Sequence, residues 1–268
     1  MHPKFFSFNV PEFLQGYLPK SLTIHFYGFL IAIGAILAFI YMAKEAKKQY
    51  GLKFDDANTL FILLLIASIV GGKIFFFFES PDYYLSNPKQ LFSGGGFVFY
   101  GSLIFTIPTM YLFFKSHNLP WGGMLDIMAI STCIVHALGR MGCFMAGCCH
   151  GLPYEGSFSV TFTDSASLAQ PLNTPLHPTQ LYSVTLIVLI LIMLLRIKKR
   201  KLFDGQMFIS YLILYASGRV VIEIFRGDLK RGFIIGDYVS HSQFISFIII
   251  CITVYIYYRL YMKSAKKV

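Results

Sequence analysis

The chain has 268 residues, of which 56% are hydrophobic and only 13% are charged, and its formal net charge is +10. A soluble domain carries about 25% charged residues, so this composition argues against a soluble globular protein. The basic residues lie mainly in short loops between apolar runs, and there is no RNA-binding motif or zinc-finger spacing, which argues against a nucleic-acid partner. Several runs approach the roughly 20 apolar residues that cross a bilayer. The sequence therefore predicts an all-α, polytopic integral membrane protein.

The N-terminal segment, 1–21, lacks the basic region, short apolar core and cleavage site of a secretory signal, so we expect an aromatic arm at the membrane surface. The apolar runs that follow predict seven transmembrane helices within a single membrane domain, 1–268. They cover about 22–43, 58–78, 98–114, 123–142, 177–195, 207–225 and 241–262. The longest connection, 143–176, is predicted to be an extracytoplasmic loop.

The positions of Lys and Arg predict the orientation of these helices, because basic residues concentrate in cytoplasmic loops. Of the 23 basic residues, 14 follow the odd-numbered helices and six lie on the opposite side. The other three, Lys73, Arg140 and Arg219, lie inside predicted helices. This distribution predicts an N-terminus outside the cell membrane and a C-terminus in the cytoplasm.

With this orientation, polar and glycine-rich segments from five parts of the chain reach the same outer membrane face. They are His25 and Tyr27, Gly94 to Gly96 with Tyr100, Gly139 to Cys143, His177 to Gln180, and Arg226 to Asp228. Glycine permits positive backbone dihedrals and close approach to a ligand, which makes Gly95 and Gly96 candidate binding residues. A helix bundle without a site does not require this convergence, so we predict a functional site on that face.

The sixth predicted helix carries a polar stripe. Tyr215, Arg219, Glu223 and Arg226 follow one another at steps of four, four and three, which places them on one helical face. Arg219 can pair with Glu223, and a structural ion pair between helices is the alternative interpretation. Two arginines against one glutamate, together with Arg140 from the fourth helix, leave a surplus of positive charge. Since guanidinium groups bind phosphate through two hydrogen bonds, the surplus predicts a pocket for an anionic phospholipid headgroup.

Two further features have structural interpretations. His136 lies four residues before Arg140 on the same helical face, and we expect it to make an interhelical hydrogen bond. For Gly71, Gly72 and Lys73, a close helix contact and a snorkelling lysine are the competing interpretations.

Several segments, in this order, resemble the prolipoprotein diacylglyceryl transferase family across nearly the whole chain. They are 25–28, 71–73, the glycine run before Tyr100 and Gly101, 139–142, 177–182, and 215–228. The predicted seven-helix topology is also that of the family. The resemblance implies transfer of the diacylglyceryl group of phosphatidylglycerol to the lipobox cysteine thiol of a prolipoprotein. A thioether forms and glycerol phosphate is released.

The same resemblance implies the cellular setting of the reaction. The partners are phosphatidylglycerol, prolipoprotein signal peptides with a lipobox, and the surrounding membrane lipid. No metal or nucleotide cofactor is implied. The expected location is the bacterial cytoplasmic (inner) membrane, in a multi-pass arrangement with the active site toward the periplasmic or outer face.

The resemblance also assigns roles to residues of this chain. The implied catalytic residues are Arg140, Arg219, Tyr100 and Tyr27. The implied substrate-binding residues are Arg140, Arg219, Tyr215, Glu223, Arg226, His177, Gln180, Gly95 and Gly96. Arg140 and Arg219 match essential arginines of the family and are expected to hold the phosphate. Negative charge grows on that phosphate as it leaves, so preorganised cations there lower the barrier.

Tyr100 marks a departure from the family, which usually has a histidine at this position. That histidine is a candidate base for the acceptor thiol. Tyrosine, with an ordinary pKa near 10, is a poor base at neutral pH unless its pKa falls. Nearby arginines are expected to lower it, and His25 and His177 are the alternative bases.

A cysteine cluster marks the second departure. Cys143 and Cys148 stand where the family usually has Asn and Glu, and Cys149 and His150 follow directly. The favoured interpretation is a structural disulfide, for instance Cys143 with Cys148 or Cys149, in an oxidising compartment, and plain packing is one alternative. Metal binding by Cys and His, and thiol chemistry, are alternatives, although the C-x-x-C pattern typical of zinc sites is absent from the sequence.

Two other functions stay open at this point. One is a related membrane enzyme that transfers a lipid group to another acceptor. The other is a non-catalytic lipid binder or transporter, since transporters also contain helices with charged stripes. Transporters often contain internal repeats, and none is evident here.

Overall fold

The computed structural model describes residues 2–11, 21–86, 96–227, 233–235 and 239–266. Within these ranges the chain forms eight α-helices and six short β-strands. The helices are α1 (Phe26–Tyr50), α2 (Phe54–Glu79), α3 (Pro81–Leu85), α4 (Phe99–Ser116), α5 (Trp121–Ala146), α6 (Thr179–Lys198), α7 (Gln206–Ile224) and α8 (His241–Ala265). The strands are β1 (Lys4–Asn9), β2 (Ser21–His25), β3 (Val160–Thr161), β4 (Pro175–Leu176), β5 (Phe233–Ile235) and β6 (Val239–Ser240).

Six of the described helices, α1, α2, α5, α6, α7 and α8, are long and apolar enough to cross a membrane. Most of each apolar stretch is not buried inside the protein, so these side chains require a hydrocarbon environment. The remaining predicted segment falls on α4, which has 18 residues and contains Pro108. The chain is therefore a polytopic helical membrane protein.

The helix ends differ from the predicted segments in physically understandable ways. Helix α1 begins at Phe26 rather than near residue 22, because 21–25 form β2, which pairs antiparallel with β1. The same helix continues to Tyr50, through Ala, Lys and Glu residues that favour helix without being apolar. Helix α5 continues through Cys143 to Ala146, so the loop predicted to begin at 143 begins at 147. Hydropathy marks the apolar part of a helix and not its end.

The chain divides into two compact units. One unit is Phe39–Ile127, and the other combines Met1–Ala38 with Met128–Val268. Helices α1 and α5 each contribute residues to both units.

In the Phe39–Ile127 unit, α2 and α4 pack closely through glycines. A Cβ atom on Gly71 would overlap the carbonyl oxygen of Gly101, and one on Gly101 would overlap that of Gly71. Ser102 Oγ donates to Ser68 O at 2.8 Å and ties the two helices at the same level. The structure therefore supports the close helix contact as the interpretation of Gly71.

In the other unit, α5 packs against α1, and α7 packs against α6 and α8. A Cβ atom added to Gly34 of α1 would lie 3.2 Å from Val135 Cα and 3.3 Å from Leu138 Cβ, both on α5. Gly218 of α7 faces the side chain of Leu186 on α6. These small residues let α5 and α7 occupy the interior of the unit, where their polar stripes are shielded from lipid.

The loop 147–178 has a small core of its own. Phe162, Ala169 and Leu176 are almost completely buried, and β3 pairs with β4 beside them. His2 Nδ1 contacts Asp164 Oδ2 at 2.7 Å, which ties the N-terminal arm to this loop. The backbone N–H of Ala166 and the His2 side chain hold the pKa of Asp164 below its usual range. The loop is therefore a folded element that can position side chains.

A short extended segment of this loop joins the start of α6 to the end of α7. Gly151 N donates to His177 O at 2.8 Å, and His177 N donates to Leu152 O at 3.0 Å. On its other side, Leu152 N donates to Phe225 O at 2.9 Å. A Cβ atom on Gly151 would collide with His177 and with Phe225 O, so only glycine fits this position. This segment fixes both helix ends beside the polar residues that follow.

Candidate active site

The end of α5 and the polar stripe of α7 meet inside the unit formed by Met1–Ala38 and Met128–Val268. Arg140, near the end of α5, interacts electrostatically with Tyr215 on α7. One helical turn earlier on α5, the His136 ring lies edge-on against the Tyr215 ring, with 4.9 Å between centroids. His136 Nδ1 and Tyr211 OH are 3.4 Å apart, which is the interhelical contact expected for this histidine. The two helices thus share one polar layer.

Arg219 and Glu223 form an ion pair along α7. The Glu223 side chain is buried, and Arg219 is 14% exposed, so the pair is shielded from water. Arg219 Nη2 also donates to Ser242 Oγ at 3.2 Å, which connects α7 to the first turn of α8. The pair predicted from the four-residue spacing is therefore present, and its geometry holds the arginine in place.

Positive charge exceeds negative charge in this region. Arg219 interacts electrostatically with Arg140, Arg226 and Glu223. Three guanidinium groups and one carboxylate therefore act on one another in this region. Their mutual repulsion is unfavourable in a shielded place and is relieved by an anion. This arrangement suits a ligand with a phosphate group, which accepts several hydrogen bonds from planar guanidinium groups.

The three clustered cysteines lie at the same end of α5. The Sγ atoms of Cys143, Cys148 and Cys149 all lie within 4.8 Å of one another, and all three residues are half-buried with free thiols. The Cys148 thiol also approaches Cys143 O at 3.8 Å. Cys149 has a φ of 60°, in the left-handed region that a residue with a side chain rarely adopts. The turn between α5 and the loop therefore directs three sulfurs toward one point.

The charge environment differs between the two adjacent cysteines. Hydrogen bonds from Cys143 and Cys148, followed by the positive charges of Arg226 and Arg140, hold the pKa of Cys149 below its usual range. Hydrogen bonding to Cys143 and Cys149 raises the pKa of Cys148 above its usual range. The neighbouring cations Arg226 and Arg140 therefore favour a negative charge on Cys149.

Two side chains from the first turn of α6 fix the backbone of this cysteine turn. Thr179 Oγ1 donates to Cys149 O at 2.6 Å, and Gln180 Nε2 donates to Cys148 O at 2.7 Å. Both side chains are almost completely buried. Gln180 Oε1 is buried as well, without a hydrogen-bond partner in the described part of the chain. The Gln180 side chain thus holds the cysteine turn through its amide nitrogen, and its amide oxygen can still accept a hydrogen bond.

Tyr27, in the first turn of α1, lies beside the end of α5. A side chain on Gly142 would bring its Cβ within 3.0 Å of the Tyr27 Cα, so the two helices touch at this level. Tyr27 interacts electrostatically with Arg140 and with all three clustered cysteines. Its side chain is 43% exposed. The structure therefore brings Tyr27 to the border between the arginines and the cysteines.

His177 is held in an aromatic wall. Its ring stacks on Tyr154 with 4.0 Å between centroids, and its Nδ1 lies 3.0 Å from Tyr182 OH. Phe225 packs edge-on against the same ring at 5.3 Å. This enclosure suits a supporting role better than that of a base. His25, the other alternative base, is the last residue of β2 and is exposed.

Tyr100 and Gly96 belong to the Phe39–Ile127 unit. Tyr100 lies in the first turn of α4, is 56% exposed, and packs edge-on against Phe99. Gly96 has a φ of 69°, and its carbonyl accepts a hydrogen bond from Tyr84 OH at 3.0 Å. The positive φ agrees with the conformational freedom expected of this glycine. Gly94, Gly95 and Asp228 lie outside the described residues.

Comparison with known proteins identifies the family of this chain. The family model described as prolipoprotein diacylglyceryl transferase matches residues 17–259. The chain belongs to this family. A relative from Clostridium tetani, named phosphatidylglycerol–prolipoprotein diacylglyceryl transferase, is 37% identical over 238 residues, covering 88% of this chain and 93% of the relative. A relative of the same name from Lysinibacillus sphaericus is 33% identical, covering 92% of each chain.

Two site residues of this family member were not assigned roles from the sequence. Thr179 fixes the Cys149 carbonyl, and Ser242 holds the Arg219 guanidinium. The first residue belongs to the motif 177–182, but a side-chain contact to a backbone 30 residues away has no sequence signal. Ser242 lies in the first turn of α8. The capping box of this helix, Ser240 with Gln243, is visible in the sequence, whereas the contact of Ser242 to α7 is not.

Proposed function

We propose that this chain transfers the diacylglyceryl group of phosphatidylglycerol to the lipobox cysteine thiol of prolipoproteins, releasing glycerol phosphate. The observation that carries the proposal is the meeting of α5 and α7 at the His136–Tyr215 contact, where Arg140 and Arg219 interact electrostatically with Tyr215 and with each other. Membership of the family supports the same reaction, as do the names of the relatives that match most of the chain.

The chemistry requires charge stabilisation rather than a new covalent intermediate. A thiolate attacks the glyceryl carbon that bears the phosphate, and the carbon–oxygen bond breaks. Negative charge then grows on the departing phosphate. Arg219 is held by Glu223 and Ser242 before substrate arrives, and Arg140 interacts electrostatically with Tyr215, so the two arginines stabilise that charge with little reorganisation.

The other residues have supporting parts in this proposal. Glu223 and Arg226 set the shape and charge of the pocket, and Tyr27 lies at its border with the cysteines. Gln180 and His177 brace the loop through the Cys148 carbonyl and the aromatic wall. Tyr100 stays a proposed catalytic residue by family likeness, and the glycines 95 and 96 stay proposed substrate-binding residues because glycine permits close approach to a ligand.

The proposed setting is the bacterial cytoplasmic membrane. Seven helices, with α4 as the third, cross it with the N-terminus outside and the C-terminus inside. The basic residues after α1 and α6 support this orientation. The arginine cluster then opens toward the outer leaflet, where phosphatidylglycerol and exported prolipoproteins meet.

The decisive experiment replaces Arg140 with alanine. Purified Arg140→Ala protein is incubated with labelled phosphatidylglycerol and a lipobox peptide, and the thioether peptide and glycerol phosphate are measured. Loss of a preorganised hydrogen-bond donor to a developing anion typically costs about 10²–10³-fold in rate. Arg259→Ala is the matched control, because Arg259 lies exposed on α8 and donates to Tyr255 OH.

The outcomes separate the possible functions. Full activity in Arg140→Ala contradicts the assigned role of this arginine. Consumption of phosphatidylglycerol without labelled peptide points instead to another acceptor. Lipid that moves across a reconstituted membrane without chemical change points to a binder or transporter.

A further inference from the structure

The cysteine cluster contains one sulfur more than a disulfide can use. A disulfide explains the approach of two thiols, but Cys143, Cys148 and Cys149 all converge within 4.8 Å. We infer that these three residues form a trithiolate site for a soft divalent metal ion such as Zn²⁺, whose open fourth position takes the acceptor thiol. The binding of the acceptor thiol at the fourth position rests on the proposed function.

The sulfur distances are close to those of a metal site. Two thiolates bound at about 2.3 Å in tetrahedral geometry lie about 3.8 Å apart. The observed upper limit of 4.8 Å therefore requires a contraction of at most about 1 Å. Rotation about side-chain bonds supplies such a movement without displacing the backbone. The C-x4-C-C spacing lacks the usual zinc pattern, yet the fold provides the necessary proximity.

The backbone is built to hold this arrangement. Cys149 adopts a left-handed conformation at φ 60°, which costs about 1–3 kcal/mol in a residue with a side chain. Thr179 and Gln180, both buried, hold the carbonyls on either side of that strained turn. Metal sites are typically supported in this way by a second layer of hydrogen bonds. A turn that only filled space would not require the strain.

The fourth position is not occupied by the adjacent histidine. His150 is buried, its Nδ1 contacts Gly151 O at 3.0 Å, and its Nε2 accepts from Gln170 N at 3.3 Å. Both ring nitrogens are thus used elsewhere. Three protein ligands with an open fourth position are typical of catalytic rather than structural zinc sites. With three protein ligands, the cluster therefore matches a metal site whose fourth position binds a substrate atom.

The positive charges near the cluster favour three cysteine thiolates as ligands of the metal ion. A divalent ion with three thiolates carries a net charge of −1, and Arg226 and Arg140 interact electrostatically with Cys149. These cations offset the thiolate charge, while Tyr27 borders both groups. An anionic metal–thiolate centre is thus placed next to the residues assigned to the phosphate. That proximity is what a reaction between a thiol and a phosphate ester requires.

The metal would perform the deprotonation of the acceptor thiol. On binding, the acceptor R–SH releases its proton to water and becomes a metal-bound thiolate, because coordination deprotonates a thiol. The sulfur lone pair forms a carbon–sulfur bond to the glyceryl carbon. The carbon–oxygen bond breaks, and its electron pair leaves on the glycerol phosphate. The neutral thioether is a weaker ligand and dissociates, and the metal is neither oxidised nor reduced.

The first test measures metal directly. Purified full-length protein is stripped with chelator, reloaded with Zn²⁺ or Cd²⁺, and assayed for bound metal and for the ultraviolet thiolate-to-cadmium charge-transfer band. We expect about one equivalent in wild type and below about a tenth in Cys149→Ser. Cys251→Ser is the matched control, because this cysteine is exposed on α8 and distant in sequence from the cluster.

A second variant keeps the test informative if a cysteine variant misfolds. Gln180→Ala leaves all three thiols intact but removes the bond to the Cys148 carbonyl. Loss of an outer hydrogen bond typically lowers metal affinity about 10–100-fold. Unchanged Cd²⁺ affinity in this variant overturns the claim that the α6 side chains support a metal site.

The acceptor position is tested with Co²⁺-loaded protein. Addition of a lipobox peptide should raise the sulfur-to-cobalt charge-transfer intensity by about one third, as the sulfur count rises from three to four. The same peptide with serine in place of cysteine should leave the band unchanged. Equal responses to the two peptides overturn the acceptor role.

The failures of the two proposals are distinguishable. Wild type that binds no more metal than the Cys149→Ser variant, yet releases glycerol phosphate, overturns the metal site and leaves the transfer reaction standing. An intact mass lighter by two hydrogens shows a disulfide and also overturns it. Metal bound with no glycerol phosphate released refutes the proposed reaction, and the acceptor role falls with it.

Discussion

At the scale of single residues, the site depends on how its charges are held. Arg140 interacts electrostatically with Tyr215, and Arg219 contacts both Glu223 and Ser242. Each arginine thus has a partner that fixes its direction and leaves other donors for a ligand. A guanidinium has five N–H groups, so one such bond does not exhaust it.

Replacing Tyr215 with phenylalanine tests this orientation. The ring and its contact with His136 remain, but the hydroxyl that interacts with Arg140 is lost. We expect transfer to slow by about 10–100-fold, because the hydrogen bond is worth about 1.5–3 kcal/mol when one partner is charged. The readout is the rate of glycerol phosphate release, with Tyr258→Phe on α8 as control. A rate within twofold of wild type contradicts the assignment.

The Glu223→Gln variant tests the ion pair. It keeps the shape of the side chain but removes the negative charge beside Arg219, leaving a shielded cation without compensation. Breaking a buried pair in this way typically destabilises a protein by about 3–5 kcal/mol. Thermal unfolding in detergent should therefore occur at lower temperature, and added phosphatidylglycerol should restore part of the loss. An unchanged midpoint would show that Arg219 has sufficient support without the carboxylate.

At the scale of elements, close contacts decide which helices can touch. Helices α2 and α4 approach each other through Gly71 and Gly101, whose carbonyl oxygens occupy the space that a Cβ would fill. The segment at Gly151 ties α6 to α7 through backbone hydrogen bonds. In both places glycine is required because a neighbouring segment occupies the space of a Cβ atom, and not because the backbone forms a turn.

The Gly101→Ala variant tests the α2–α4 contact. Alanine favours an exposed helix by about 1 kcal/mol over glycine, but here its Cβ would overlap Gly71 O and the Phe75 ring. We expect net destabilisation of about 1–3 kcal/mol, seen as a lower unfolding temperature. Gly28→Ala on α1 is the control, because nothing lies within 4 Å of the position that its Cβ would take. A midpoint that rises equally in both variants contradicts the contact.

At the scale of the whole molecule, charge distribution and apolar length set the membrane arrangement. Six described helices are long and apolar enough to cross a bilayer, and α4 is shorter and contains a proline. Counting α4 as a span places the N-terminus and C-terminus on opposite sides. In the orientation proposed above, the basic residues that follow α1 and α6 lie in the cytoplasm.

Labelling of introduced cysteines tests this arrangement. In spheroplasts, a membrane-impermeant maleimide should label Glu155→Cys, in the loop 147–178, above the level of the parent protein. Lys48→Cys, near the end of α1, should be labelled only after lysis. Both positions are exposed, so differences in reactivity report the side of the membrane. The reverse pattern contradicts the orientation, and labelling of both sites in intact spheroplasts contradicts the span count.

The sequence by itself determined the membrane class, the approximate position of each long helix, and the stripe on α7. These properties depend on local hydropathy and on helical periodicity, which a linear chain records directly. It also predicted the Arg219–Glu223 pair, since a four-residue spacing fixes their distance within one helix. It placed helix ends less well, because polar helix formers such as those near Tyr50 extend a helix beyond its apolar part.

Only the tertiary structure decided how separate segments meet. The sequence favoured a disulfide at the cysteines, but their three sulfurs converge because Cys149 turns left-handed and Thr179 and Gln180 hold its neighbouring carbonyls. The interaction of Arg140 on α5 with Tyr215 on α7 likewise depends on how two separate helices pack. Such contacts join residues about 30 or more positions apart, and their distances depend on the packing of whole helices rather than on any local pattern.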